Sequence, residues 1–232
     1  MVKRPSRLVL KLSGELLGKA GLSMDDIQAL AGKVQSLHQE GVQLILVLGA
    51  GNIMRGQRQS WWPACEADEL GMVGTVLNGM ALRLALQALG MSVSVYSAMS
   101  VDFVPTFCRQ RALDDLDQGR IVICTGGMGQ PLFSTDTCAV LRAIELKAQV
   151  VWKSTQVDGL YSADPNTNAQ AVFLPQISHQ QAIERKLAVM DLTSLALARD
   201  HKMPVQIFSG ESPLCDVYHN RCVSSWIGEY NV

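Results

Sequence analysis

Two apolar runs constrain the fold most. Val42-Gln43-Leu44-Ile45-Leu46-Val47-Leu48 and Ile121-Val122-Ile123-Cys124 are almost unbroken in hydrophobic residues. A strand with one wet face alternates apolar and polar residues. A run this apolar is buried on both faces, as in a parallel sheet covered by helices. Between such runs the spacing turns helical. Ser23 is placed to cap a helix reaching about His38, with Ile27, Leu30, Ala31, Val34 and Leu37 on one face and Gly41 ending it. A second helix is predicted from near Asp68 to Leu89, stopped by Gly90. Segments 8–12, 92–96, 150–152 and 205–208 read as further strands, and 136–148 reads as a helix. Ser178 with Gln181 reads as a capping box, and 97–117 is mixed. Strands alternating with helices give βαβ units, so the expected class is a three-layer α/β/α domain around a central, mostly parallel sheet. No linker, repeat or low-complexity tract divides the 232 residues.

Charge and cysteine usage exclude several functions. The formal net charge is −1, which gives no basic footprint for nucleic acid or an acidic membrane. No apolar span is long enough for a transmembrane helix, and the N-terminal apolar run breaks at Lys11, too soon for a signal peptide. The cysteines (65, 108, 124, 138, 215 and 222) form no C-x-x-C pair, and the four histidines show no metal-ligand spacing. A reduced, cytoplasmic protein without structural zinc is expected.

The chemistry gathers in loops that follow strands. Thr125-Gly126-Gly127-Met128-Gly129-Gln130-Pro131-Leu132-Phe133-Ser134-Thr135-Asp136 joins a strand to a helix start. Its glycines let backbone N–H groups approach an anion, and the helix N-terminus adds partial positive charge. Taken alone, the segment fits an ordinary capped loop equally well. Three other loops share its position: Lys11-Leu12-Ser13-Gly14-Glu15, then Gly49-Ala50-Gly51-Asn52-Ile53-Met54-Arg55-Gly56, and finally 153–165. Ligands of open α/β sheets bind outside the carboxyl ends of the strands, so the four loops are expected to converge. Lys11 and Lys153 each end an apolar strand, a costly place for a charge unless an anion meets it. No P-loop, dinucleotide fingerprint or nucleophile elbow occurs. Several loops, two lysines and a carboxylate suit phosphoryl transfer, which is mostly positioning and charge neutralisation.

These residues resemble a known family. Lys11-Leu12-Ser13-Gly14-Glu15, Gly51-Asn52 with Arg55-Gly56, Asp68 with Gly71-Met72, Asn78-Gly79, Ser134-Thr135-Asp136, the 153–165 loop and Met190-Asp191-Leu192 look like the bacterial-type UMP kinases of the amino acid kinase superfamily, across roughly residues 8–208. The resemblance implies the amino acid kinase fold as one domain, with an acceptor part over about 1–150 and an ATP part over about 151–232. It implies transfer of the ATP γ-phosphate to UMP in pyrimidine nucleotide biosynthesis. Magnesium would be held through the ATP phosphates rather than by a protein ligand set. On this pattern Lys11, Asp136 and Lys153 are catalytic, with Asp136 orienting the lysine and the metal. Lys11, Ser13, Gly14, Gly51, Arg55, Thr155, Tyr161 and Asp164 bind ATP. Ala50, Asp68, Met128, Gly129, Gln130, Pro131, Leu132, Phe133, Ser134 and Thr135 bind UMP, Asp68 through the ribose hydroxyls. As plain structure, Asp68 and Asp191 would be helix caps and Tyr161 packing.

The departures from the family pattern gather on the UMP side. Ala50 stands where glycine is usual, and its methyl is expected to crowd the phosphate or hold φ negative. Met128 and Gln130 replace a threonine and an asparagine, Gln156 replaces a lysine, and 57–67 with Trp61-Trp62 is unlike the usual segment. Two alternatives therefore stand beside a UMP kinase: a non-catalytic nucleotide-binding or storage paralogue, and a kinase with another acceptor. The resemblance also implies a homohexamer, with the apolar helix 69–89 facing a core and a neighbour. Activation by GTP is expected to be weak or absent, because Leu84, Gln87 and Ser94 replace polar or charged residues while Arg83 and Arg120 remain.

Overall fold

The computed structural model describes residues 4–54, 62–187 and 189–228. Arg55 and Trp61 lie outside them. The elements run β1 (Arg7–Leu12), α1 (Met24–Gln39), β2 (Gln43–Leu48), α2 (Ala64–Ala88), β3 (Val93–Ser97), α3 (Arg109–Asp117), β4 (Ile121–Thr125), α4 (Thr135–Glu145) and β5 (Val151–Thr155). After these come β6 (Leu160–Tyr161), β7 (Phe173–Leu174), β8 (Gln176–Ile177), α5 (His179–Glu184), α6 (Leu192–Asp200), β9 (Val205–Ser209), α7 (Leu214–Tyr218) and β10 (Ser224–Ile227). A 3-10 turn over Gly14–Leu17 follows β1.

The main sheet has the order β3-β4-β2-β1-β5-β9-β10-β8, and β6 pairs with β7 outside it. From β3 to β9 every pairing is parallel, and β10 runs antiparallel to β9. The strand alternation supplies two cores. Leu8 and Leu10 of β1, with Ile121 and Ile123 of β4, pack on α1, α2 and α7. Val9, Ile45 and Val122 face the other way, onto α3, α4 and α6. This is the three-layer α/β/α arrangement expected of the apolar runs. Because the six strands are parallel, the carboxyl ends of β1, β2, β4 and β5 share one edge, and all four loops emerge there.

Local capping follows the side chains. Ser23, Ser134 and Asp191 each accept a backbone N–H in the first turn of α1, α4 and α6. Ser178 and Gln181 complete a capping box on α5. Each of the seven described α-helices is followed, one residue past its cap, by a left-handed residue. These are Gly41, Gly90 and Gly119 after α1 to α3, then Lys147, Lys186, Lys202 and Asn220 after α4 to α7.

Three expectations need correction. α2 starts at Ala64 behind Pro63, a residue with extended backbone, so Asp68 lies inside the helix and is not its cap. The mixed segment contains α3, a charged helix that buries only Ala112, Leu113 and Leu116. β5 continues through Ser154 to Thr155, which puts Lys153 in mid-strand. Pairing to β9 reaches Thr155↔Ser209, and this tertiary partner carries the strand past its apolar residues.

Candidate active site

Strand register builds the centre of the site. Lys11 of β1 and Lys153 of β5 are direct partners across two parallel strands, so their side chains leave the same face side by side. Asp136, in the first turn of α4, sits between them. The Lys11 Nζ lies 2.9 Å from Asp136 Oδ1, and Lys153 Nζ donates to Asp136 Oδ2 and to the Val189 carbonyl. Burial alone would raise the Asp136 pKa, but the Lys11 and Lys153 charges outweigh it and hold the carboxyl below the usual carboxylate range. Burial pushes the Lys153 ammonium below the usual lysine range, and the Asp136 charge opposes that without cancelling it. Asp136 thus faces two ammonium groups, and the Asp191 carboxylate lies within electrostatic reach of Lys153.

The centre opens into a cavity of about 550 Å³. Lys11, Ser13, Lys153, Thr155, Tyr161 and Asp164 all line it, as the sequence places them at a nucleotide. Leu187 and Val189 line it as well, together with the exposed Arg185 and Lys186. Sequence reasoning missed these four, although they stand just before the Met190-Asp191 motif. Tyr161 packs edge-on against Phe173, with centroids 5.4 Å apart, and its hydroxyl donates to Asp158 at 2.7 Å. Gln156 donates to Glu15 at 2.6 Å, tying the first loop to the fourth.

A second cavity, of about 230 Å³, lies between α2 and the start of α4. Ala50, Asp68, Gln130, Phe133, Ser134 and Thr135 line it. Met128 does not; its side chain packs against the core beneath α3 and α4. Gly129, Pro131 and Leu132 also stay off its wall. A Cβ on Gly129 would stand 2.7 Å from the Ala98 carbonyl oxygen, so the loop presses backbone to backbone there. Ala50 is not among the left-handed residues, and its methyl points at α2, as its closeness to Gly74 shows.

Helix α2 holds both loops that frame this second cavity. Asp68 accepts the Leu132 N–H at 2.9 Å, and Thr75 accepts the Gly126 N–H at 2.8 Å. Asn78 donates to the Gly49 carbonyl at 2.7 Å and exchanges amide hydrogen bonds with Asn52 at 2.9 and 3.1 Å. Asp191 ties the start of α6 to the start of α4. It caps α6 through the Ser194 N–H and also accepts the hydroxyls of Ser134 and Thr137 at the start of α4. Gly14 and Gly51 line neither cavity. They are packed together instead, and a Cβ on Gly14 would meet the Gly51 nitrogen at 2.8 Å.

A parallel sheet with a lysine pair and a carboxylate at its carboxyl edge, between a large cavity and a smaller one, is the architecture of a phosphotransferase with two substrate sites. The profile of the amino acid kinase family matches residues 6–209, and the chain belongs to that family. Among its relatives, the uridylate kinase of Ehrlichia ruminantium (strain Welgevonden) is 42% identical over 211 residues, which cover 88% of this chain and 86% of that one. The uridylate kinase of Methylococcus capsulatus (strain ATCC 33009 / NCIMB 11132 / Bath) is 42% identical over 209 residues, 88% of this chain and 87% of that one. The crystal structure of UMP kinase from Ureaplasma parvum superposes with a TM-score of 0.91 at 30% identity, covering 98% of this chain and all of the other.

Proposed function

We infer that this protein is a UMP kinase, transferring the γ-phosphoryl group of ATP to UMP to give ADP and UDP. The in-register pair Lys11 and Lys153 around Asp136, set between a large and a small cavity, carries the reading. ATP takes the large cavity, with its phosphates toward Lys11, Ser13 and Lys153. UMP takes the small one, its ribose toward Asp68 and its phosphate toward the start of α4.

The acceptor is a phosphate already ionised near neutral pH, its second pKa being about 6. No general base is needed to expose its nucleophilic oxygen. The reaction asks for alignment of two polyanions and for positive charge where the transferring group gathers negative charge. Lys11 and Lys153 supply that charge, and Asp136 keeps both ammonium groups aimed rather than splayed by mutual repulsion. Among the described residues no group of three or more acidic, histidine or cysteine side chains could hold a metal. The site instead suits an ion delivered with the nucleotide, with Asp136, held between the two lysines, as the carboxylate beside it. When bound, magnesium would neutralise phosphate charge.

A coupled assay with ATP, magnesium and a panel of nucleoside monophosphates tests the reading. Turnover with UMP is expected, and turnover only with another monophosphate would overturn the acceptor. The intact lysine–carboxylate centre weighs against a purely nucleotide-binding paralogue, because such a protein has no use for charge poised at the transferring phosphoryl. We further propose a homo-oligomer, a hexamer by resemblance. Its support is α2, which exposes Leu70, Val73, Leu77 and Leu84 along its length. A role in pyrimidine nucleotide biosynthesis follows from the reaction. A reducing, cytoplasmic setting is supported by six free cysteines.

A further inference from the structure

Gly74 lies inside α2, where glycine weakens a helix relative to alanine. Open space does not explain it away. Gly71, one turn earlier, has nothing within 4 Å of where a Cβ would sit, whereas Gly74 faces the loop after β2. A Cβ at Gly74 would stand 2.9 Å from the Ala50 Cβ, and 3.5 and 3.6 Å from Cβ and Cγ2 of Ile53. The Ala50 methyl is no flexible tip that could swing aside, because the backbone fixes it. A methyl at 74 would therefore lift the whole 49–54 loop off the helix. The far side of that loop has no slack either. A Cβ on Gly14 would meet Asn52 Oδ1 at 2.5 Å and the Gly49 carbonyl oxygen at 2.8 Å. The loop is wedged between the Gly14 turn and Gly74. Four residues further along α2, Asn78 ties the same loop down through the Gly49 carbonyl and Asn52.

We propose that Gly74 and Ala50 form a size-matched pair that sets how deep the 49–54 loop sits over the small cavity. Gly74 is thus a positioning residue for the phosphoryl acceptor, though it touches no substrate. Ala50 lines the small cavity and not the large one, so the pair acts on the acceptor side. The inference rests on reading the small cavity as the acceptor site.

The test is a cycle of Gly74→Ala, Ala50→Gly and the double variant. Gly74→Ala should raise the KM for UMP at least about tenfold while the KM for ATP moves less, since overpacking displaces backbone and small misplacements are costly in rate. Removing the Ala50 methyl in the double variant should recover most of that loss. Gly32→Ala, in open space on α1, is the control and should leave both KM values in place. An unchanged UMP KM in Gly74→Ala, or a raised one that the double variant fails to recover, overturns the proposal. The same cycle is read in chemical denaturation without substrate, where the two positions should be strongly coupled. If the parent protein phosphorylates only a different monophosphate, the assigned acceptor is wrong, and the cycle is then decided with that monophosphate.

Discussion

The two cavities are built in different ways. The large one opens from a centre set by the sheet: Lys11 and Lys153 are locked into neighbouring strands by register, and Asp136 between them is fixed by the first turn of a capped helix. The small one is framed by loops that hang from a single helix, through Asp68, Thr75 and Asn78 of α2. Register admits no half-measures, because a slip by one residue turns every side chain to the opposite face. A hung loop can absorb a change by moving a neighbour. Three departures from the family pattern, Ala50, Met128 and Gln130, fall on the hung loops, and a fourth, Gln156, falls on the loop after β5 that lines the large cavity and not on the strands. The lysine pair is intact.

Breaking the sheet-borne side should have the largest effect. Lys11→Ala should lower kcat by about 10² to 10³, or about 2.7–4 kcal/mol, by analogy with loss of one preorganised donor. A loss of less than about tenfold in a folded protein would show that Lys11 does not stabilise the transferring group. Asp136→Asn should remove the charge between two close ammonium groups and cost about 3–5 kcal/mol of stability, the usual result of breaking a buried ion pair from one side. The pH dependence has a definite sign. The folded Asp136 pKa lies below its unfolded value, so its contribution is present above about pH 4 and fades as pH falls through the folded value. Urea midpoints measured from pH 7 down to pH 3 should fall in the parent protein. If Asp136→Asn shows the same fall, other carboxylates account for it.

The hung side should respond more gently and in binding. Asp68→Asn should raise the KM for UMP roughly tenfold, on the order of one charge-assisted hydrogen bond, with kcat and the KM for ATP little changed. An equal loss in kcat would mean that the Asp68 bond to the Leu132 N–H shapes the catalytic geometry itself. The smallest expected effect is regulatory. With cationic partners missing around Arg83 and Arg120, millimolar GTP should leave the rate at fixed ATP and UMP nearly unchanged. A several-fold activation would show that other residues rebuild such a site.

The same division governs what could be read in advance. The parallel sheet was legible in 42–48 and 121–124 because burial on both faces leaves a one-dimensional trace. Ser23 and Ser178 were legible as caps because a cap is a local bond. α3 was not, since three buried apolar residues in a charged segment carry almost no periodic signal. Lys153 was misplaced by two residues because pairing to β9, and not local composition, extends β5. The inward turn of Met128 is set by the left-handed backbone of Gly127 and Gly129 around it. Gly74 carries no meaning until Ala50 is brought against it.

The ends of the helices bear on how far this protein can change. Lys147 and Lys202 hold left-handed backbone on exposed turns, a conformation that costs an L-residue roughly 1–2 kcal/mol and costs glycine almost nothing. Lys147→Gly and Lys202→Gly should each stabilise the fold modestly, after the greater flexibility of glycine in the unfolded chain is subtracted, and thermal melts would show it. Proteins evolve just above a stability threshold, and most new substrate preferences begin with destabilising substitutions. Two such changes, far from both cavities, would widen the margin within which the 49–54 and 126–134 loops can be altered. The evolvability of the acceptor site is set in part at two helix ends that never meet a substrate.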